Sequence, residues 1–315
     1  MGGDGKFMGQ GPFDAMHYLK AAFGGAVCCS VTHGGTTPID VVKTRMQLDP
    51  GQYTSFIGTF KHVHAEGGMG ALFTGVMPTF QGYFVQGWFK FGGVEICKTK
   101  FAQAMGSEQA AFNNRDAITL GGSACAEFVA DVFLCPYEAC RIRAVSDPGY
   151  ANGMMAVGKK MVGEMGVVGG LYAGFGPMLF KQIPYTMAKF AVQQKVAEKY
   201  YNTMGTSPDK MSKSGVLGVS LGSGVVAGVA AATISQPADG LLSKVNKKGA
   251  GGEGSMMTRL GRIAAETGFV KLCTQGLFAR WIHVGTITAG QFAVVDACMM
   301  AVGASRFHFH DPSKH

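Results

Sequence analysis

Charge is what large parts of this chain lack. Gly67–Phe89 runs 23 positions without Asp, Glu, Lys or Arg, and Gly215–Ala238 runs 24. Ala21–Ile39 adds 19 more, interrupted only by His33. A helix needs roughly 20 apolar residues to cross the hydrocarbon, so these stretches argue against a soluble enzyme and read as candidate spans. The chain also lacks any C-x-x-C pair among its eight cysteines (28, 29, 97, 125, 135, 140, 273 and 298). The thiols then read as small apolar residues, and no metal site is expected. Met1–Tyr18 has neither a signal-type apolar core nor an Arg-rich presequence. Lys6 stands where a myristoylation pattern needs Ser or Thr, so targeting information is expected to be internal. Basic residues are scattered with no aromatic-basic motif, and no nucleic-acid partner is expected.

What the chain has in quantity is glycine, 48 residues, and positive charge, a formal +8. Gly24, Gly25, Gly121, Gly122, Gly218, Gly222 and Gly228 fall where helix backbones in lipid approach closely. Gly222-Ser223-Gly224 with Gly228 imitates a dinucleotide fingerprint. That motif needs a preceding strand, and here it lies inside an apolar run, so the glycines are read as packing residues. The charge has two readings: loops that contact anionic headgroups, or a positive cavity that focuses an anion.

Three proline-acid segments repeat: Pro38-Ile39-Asp40, Pro136-Tyr137-Glu138 and Pro237-Ala238-Asp239, with the prolines 98 and 101 residues apart. Each is followed by a second landmark: Glu66 and Gly75, Glu164 and Gly174, Glu266 and Gly276. The proline-to-acid distance is 28, 28 and 29 residues, and proline-to-glycine 37, 38 and 39. Two landmarks in register three times define an internal repeat. At about 100 residues the unit is too long for a solenoid and predicts one pseudo-threefold body.

Two spans per repeat give the expected fold class, an all-α membrane protein of six transmembrane helices around a central cavity. The remaining spans, near 115–145, 174–203 and 276–302, carry Glu127, Asp131, Lys181, Lys189 and Asp296. A charge at the bilayer centre costs about 2.5–3.5 kcal/mol, so such groups face a bundle interior or a wet cavity. Pro38-x-Asp40-x-x-Lys43 puts an acid and a base on one helical face beside a kinking proline. Three such helices would bring acids and bases together at one end, where charges of adjacent repeats could pair into a closing ring.

These motifs resemble the mitochondrial carrier family over nearly all of residues 15–304. The resemblance implies six tilted membrane helices, three short matrix helices, alternating access to one site, and no enzymatic activity or cofactor. It also implies a multi-pass protein of the inner membrane, with cardiolipin among its lipid partners and a monomeric state. The repeats are expected at 15–110, 111–206 and 207–304, flanked by tails 1–14 and 305–315. The family's matrix-side gate maps onto Asp40, Lys43, Glu138, Arg141 and Asp239. Leu242 replaces the sixth member, and Lys244 faces about 200° away on an ideal helix, so one pair of three is expected to be missing. The opposite-side motif [FY]-[DE]-x-x-[KR] is degraded as well, to Val94-Glu95-Ile96-Cys97-Lys98 in repeat 1 and Phe190-Ala191-Val192-Gln193 in repeat 2.

Within the family, Thr36–Arg45, Phe89–Gly93, Ala126–Asp131, Phe180–Tyr185 and Ser235–Asp239 are similar to its phosphate-carrying branch. That implies inorganic phosphate taken up with a proton, or against hydroxide. Repeat symmetry supplies the groups. His33 and Asp131 each lie five before their proline, with Ala232 third, and Glu127 lies one turn from Asp131. An imidazole beside carboxylates suits a proton relay. Lys90 and Lys189 lie 15 past their landmark glycines, with Gln291 third, and snorkelling is the alternative reading for both. Lys181 lies 7 past Gly174, matched by Gly82 and His283. These lysines suit a phosphate, with Gln86, Thr79, Gln182 and Arg280 as further donors. Another anion, a copper complex, or a membrane scaffold without transport are the rival readings.

Overall fold

The computed structural model describes residues 7–48, 51–53, 55–147, 149–245, 256–309 and 311–312; Lys6 lies outside them. Six long helices dominate: α1 (Ala15–Leu48), α3 (Val76–Ala104), α5 (Arg115–Ser146), α7 (Phe175–Met204), α8 (Lys213–Val245) and α11 (Leu277–Ala301). Shorter helices fall between them: α2 (Phe56–Leu72), α4 (Glu108–Asn113), α6 (Met154–Leu171), α9 (Met256–Thr267) and α10 (Phe269–Thr274). The 110/111 repeat boundary thus falls inside α4. Each long helix packs on the next, α1 on α3, then α5, α7, α8 and α11, and α11 returns to α1, so the ring closes.

The charge-free run Gly67–Phe89 is not one span, contrary to the expectation from composition. Gly68 (φ +63°) and Gly75 (φ +80°) have positive φ, which favours glycine: Gly68 kinks α2 and Gly75 begins α3. Gly166 (φ +71°) and Gly268 (φ +79°) break the chain at the same place in the other repeats, two residues after the landmark acid. Among the described residues, three helices are long and apolar enough to cross a membrane: Arg115–Ala144, Lys213–Leu242 and Arg280–Ala301. In α7 the apolar count is lowered by Lys189, Gln193 and Gln194, all buried. Outward-facing positions are apolar instead, with Phe23, Val31, Phe128, Phe180 and Ile234 exposed. Polar inside and apolar outside is the arrangement that lipid selects.

The two landmarks of each repeat are separate signals in sequence, and in repeats 2 and 3 residues beside them are hydrogen-bonded to each other. Pro136 has no N–H, which frees the carbonyl of Val132; the Tyr172 hydroxyl donates to it at 3.1 Å. In repeat 3, Gln236 Nε2 donates to the Gln275 carbonyl at 2.7 Å. The proline helices continue unbroken past Pro38, Pro136 and Pro237. The glycines also place the ring. A Cβ on Gly25 or Gly87 would collide with the other's carbonyl, which sets how closely α1 and α3 cross. Gly224 and Gly228 do the same for α8 against α11, meeting Ala289 Cα at 2.6 Å and Gly285 Cα at 2.7 Å.

Candidate functional site

Three phenylalanines meet on the axis of the ring, about midway along α3 and α7. Phe91, Phe190 and Phe292 each lie 16 past their landmark glycine. Their rings meet pairwise at 5.2, 6.0 and 5.5 Å between centroids. Sequence reading missed them, although the same offset arithmetic that found Lys90 and Lys189 would have found this triad one residue later.

Just before the triad, the three symmetric positions take different partners. Lys90 reaches across repeats to Glu127 at 2.9 Å, and both side chains are buried. Gln86 Nε2 (3.1 Å) and the Thr186 hydroxyl (2.9 Å) also donate to Glu127. One carboxylate therefore collects three donors, the condition under which a buried charge is tolerated. Lys189, 1% exposed, donates to Gln291 and lies over all three rings of the triad, 5.0–5.6 Å from their centroids. No carboxylate among the described residues pairs with it. Burial of both lysines rules out snorkelling.

Asp131 is fully buried, and among the described residues neither carboxyl oxygen has a hydrogen-bond partner. It stands in the field of Glu127, Lys90 and Lys181. Ionised carboxylates are rarely buried without donors, so this position is suited to hold a proton. His33 stacks on Tyr83 at 3.6 Å between ring centroids. It is not among the partners of Glu127, so the structure joins Glu127 to a lysine and not to the imidazole with which it was grouped. Thr79, expected as a substrate donor, gives its hydrogen to the Gly75 carbonyl at 2.8 Å.

Toward the proline end a second cluster forms around Asp239. Arg280 reaches it at 2.7 Å and Lys181 at 3.7 Å. Arg280 also donates to Ser235 (2.7 Å) and Gln236 (3.3 Å), so α8 fixes its guanidinium on three sides. Gln182, half-buried, joins none of these bonds. Position 242 supplies no base, and Asp239 takes its cations from α11 and α7 instead. Lys244 is turned to Thr267 at 3.2 Å. The expected ring between repeats is not formed either. Arg141 pairs with Glu138 of its own helix at 2.7 Å. Asp40 and Lys43 make no ion pair within 4 Å among the described residues, and Lys43 is exposed. His283, the symmetric equivalent of Lys181, lies in the field of Asp40, Lys43, Arg280 and Asp239, with Nε2 unpartnered.

A threefold helix ring with proline-acid motifs at one end and buried cations on its axis defines a class, and sequence comparison identifies it. The family described as mitochondrial carrier protein matches residues 14–104 and 116–204. Mitochondrial substrate carrier family protein N of Dictyostelium discoideum is 43% identical over 289 residues, covering 91% of this chain and 95% of that protein. The probable mitochondrial phosphate carrier protein of Schizosaccharomyces pombe is 38% identical over 292 residues, 92% and 93% of the two chains. Mitochondrial phosphate carrier protein 3 of Arabidopsis thaliana is 40% identical over 288 residues, 91% of this chain and 74% of its own. The chain belongs to the mitochondrial carrier family, transporters and not enzymes, and is a multi-pass protein of the mitochondrial inner membrane.

Proposed function

We propose that this protein carries inorganic phosphate into the matrix together with a proton, by alternating access, with all six long helices spanning the membrane. The observation that carries the reading is the buried axial cluster: Lys90 held by Glu127, Lys189 without a carboxylate, and Asp131 without a donor. Its similarity to proteins named as phosphate carriers supports the choice of anion. Lys181 and Arg280 form a cationic station around Asp239 near the proline end, which we read as the matrix side from the family resemblance. An anion arriving there competes with Asp239 for both cations, which weakens the ties between α8, α7 and α11. Deeper on the axis, Lys189 offers a full positive charge, and a proton on Asp131 or Glu127 offsets the charge that the anion brings. Coupling then follows from electrostatics: an anion in this low-dielectric space is stable only when a carboxyl beside it is neutral. His33, stacked on Tyr83, lies one helix away as a further proton carrier.

Uptake of labelled phosphate into liposomes holding the purified protein tests this. Accumulation should rise when the outside is acidified and collapse when the gradient is removed. Equal uptake with and without the gradient would refute the symport. Absence of phosphate uptake, with uptake of another anion, would reassign the substrate.

A further inference from the structure

The end of the ring opposite the prolines is held by a segment outside the repeats. After α11, Arg306 forms a two-point ion pair with Asp296 (Nε–Oδ1 2.5 Å and Nη2–Oδ2 2.8 Å). The next residue donates its backbone N–H to Glu95 of α3, which also pairs with His17 of α1 at 2.9 Å. Asp296 and Glu95 occupy the same place in their repeats, 20 residues past Gly276 and Gly75, and the second repeat has Gln194 there. The acid-base motif of this end is degraded in repeats 1 and 2. The trailing segment brings in the missing cation.

It also caps the aromatic closure. Arg306 lies over Phe292 at 5.1 Å. Phe307 is buried, packs on Phe13 (5.4 Å) and Phe309 (4.9 Å), and lies under Lys98. The leading segment ties it down further: Gln10 Nε2 donates to the His308 carbonyl at 2.7 Å, and His308 N–H returns to Gln10 Oε1 at 3.2 Å. A void of about 20 Å³, lined by Ala21, Phe91, Phe190, Glu95, Arg306 and Phe307, lies between segment and triad. Beside the segment, toward α7 and α8, a cavity of about 870 Å³ remains.

We propose that Ser305–Phe309 is the gate of this end: Arg306 bridges to Asp296 and Phe307 to Glu95, so α11 and α3 cannot part until the segment lifts. Opening toward this side therefore requires release of the segment, whichever solute is carried. The inference stands apart from the phosphate assignment, because it concerns access and not cargo.

The test is thiol accessibility beneath the segment. Ala21→Cys, 2% exposed in the wild-type chain, serves as reporter in liposomes with a membrane-impermeant maleimide, and the chain without the reporter gives the background. Arg306→Gln in the reporter chain should raise the labelling rate about tenfold, as expected when a charge-assisted tie to a local opening is lost. Asp296→Asn should do the same, and the swap Asp296→Arg with Arg306→Asp should return labelling toward the reporter chain's rate. Unchanged labelling in Arg306→Gln overturns the gate. Faster labelling in the single variants that the swap does not reverse also overturns it, because Arg306 would then contribute packing alone.

Discussion

Two levels of the helix ring are built from different interactions. At the triad, Phe91, Phe190 and Phe292 share one offset and meet each other on the axis. At the proline end, Asp40, Glu138 and Asp239 also share one offset, yet their pairing differs in every repeat: none, own-helix, and two cations from elsewhere. The same contrast appears between neighbouring residues, since Lys90, Lys189 and Gln291 precede the phenylalanines and take unlike partners. Apolar contact is non-directional, so three equal rings can share one axis. Charges need matched partners at short range, and three identical repeats cannot supply three identical partners around one anion site. Symmetry is kept where packing decides and lost where charge decides.

Glu127→Gln should break this pattern most. It leaves Lys90 buried beside neutral groups, and removing one partner of a buried pair costs about 3–5 kcal/mol. A clear fall in melting temperature in detergent is expected, together with loss of gradient-driven uptake. Adding Lys90→Met should recover much of the stability and none of the uptake. Should Glu127→Gln melt like wild type, Lys90 would have to be neutral in the folded protein.

The triad offers the next test. Phe91→Ala, Phe190→Ala and Phe292→Ala should each destabilise by about 3 kcal/mol, within experimental scatter of one another, because each ring faces the other two. A series with one large and two negligible losses would show that the rings do not share the axis.

Charged positions at the proline end should instead be unequal. Arg280→Gln removes hydrogen bonds to Asp239, Ser235 and Gln236, and bonds to charged groups are worth about 1.5–3 kcal/mol. Lys43→Gln, at an exposed position without an ion pair among the described residues, should stay within about 0.5 kcal/mol of wild type. Equal melting shifts for the two variants would mean that a symmetric ring forms after all.

Much of this was legible in the residues. Repeat arithmetic gave the number of long helices, two per repeat, because a tertiary constraint imposed three times leaves landmarks in register. Lys189 and Asp131 were singled out by offset, and the structure buries both. What sequence could not supply was partnership. Nothing local joins Gln86, Lys90 and Thr186 to Glu127, since those contacts bridge 41, 37 and 59 positions. The run Gly67–Phe89 misled because glycine is both an apolar-run residue and a helix breaker, and only its φ separates the roles. Arg306 was invisible for a further reason: it lies outside the repeats, so symmetry assigned it no counterpart.

Leu242→Lys carries a small expected effect and the sharpest reversal. From motif spacing alone, this substitution restores a missing base and should stabilise the closed proline end. The structure argues otherwise, because Asp239 already has Arg280 at 2.7 Å and Lys181 at 3.7 Å. A third cation would meet two like charges and gain little attraction. Leu242 meanwhile packs with Leu241 against buried Leu260 and Ile263, and a lysine stem covers that surface less completely while its ammonium seeks water. A loss of about 1 kcal/mol or less is expected, read as a slightly lower melting temperature with transport rate unchanged. A higher melting temperature with slower transport would show that Asp239 is short of cations in the state that limits the cycle. Arg280 and Lys181 would then be free for the anion throughout that state.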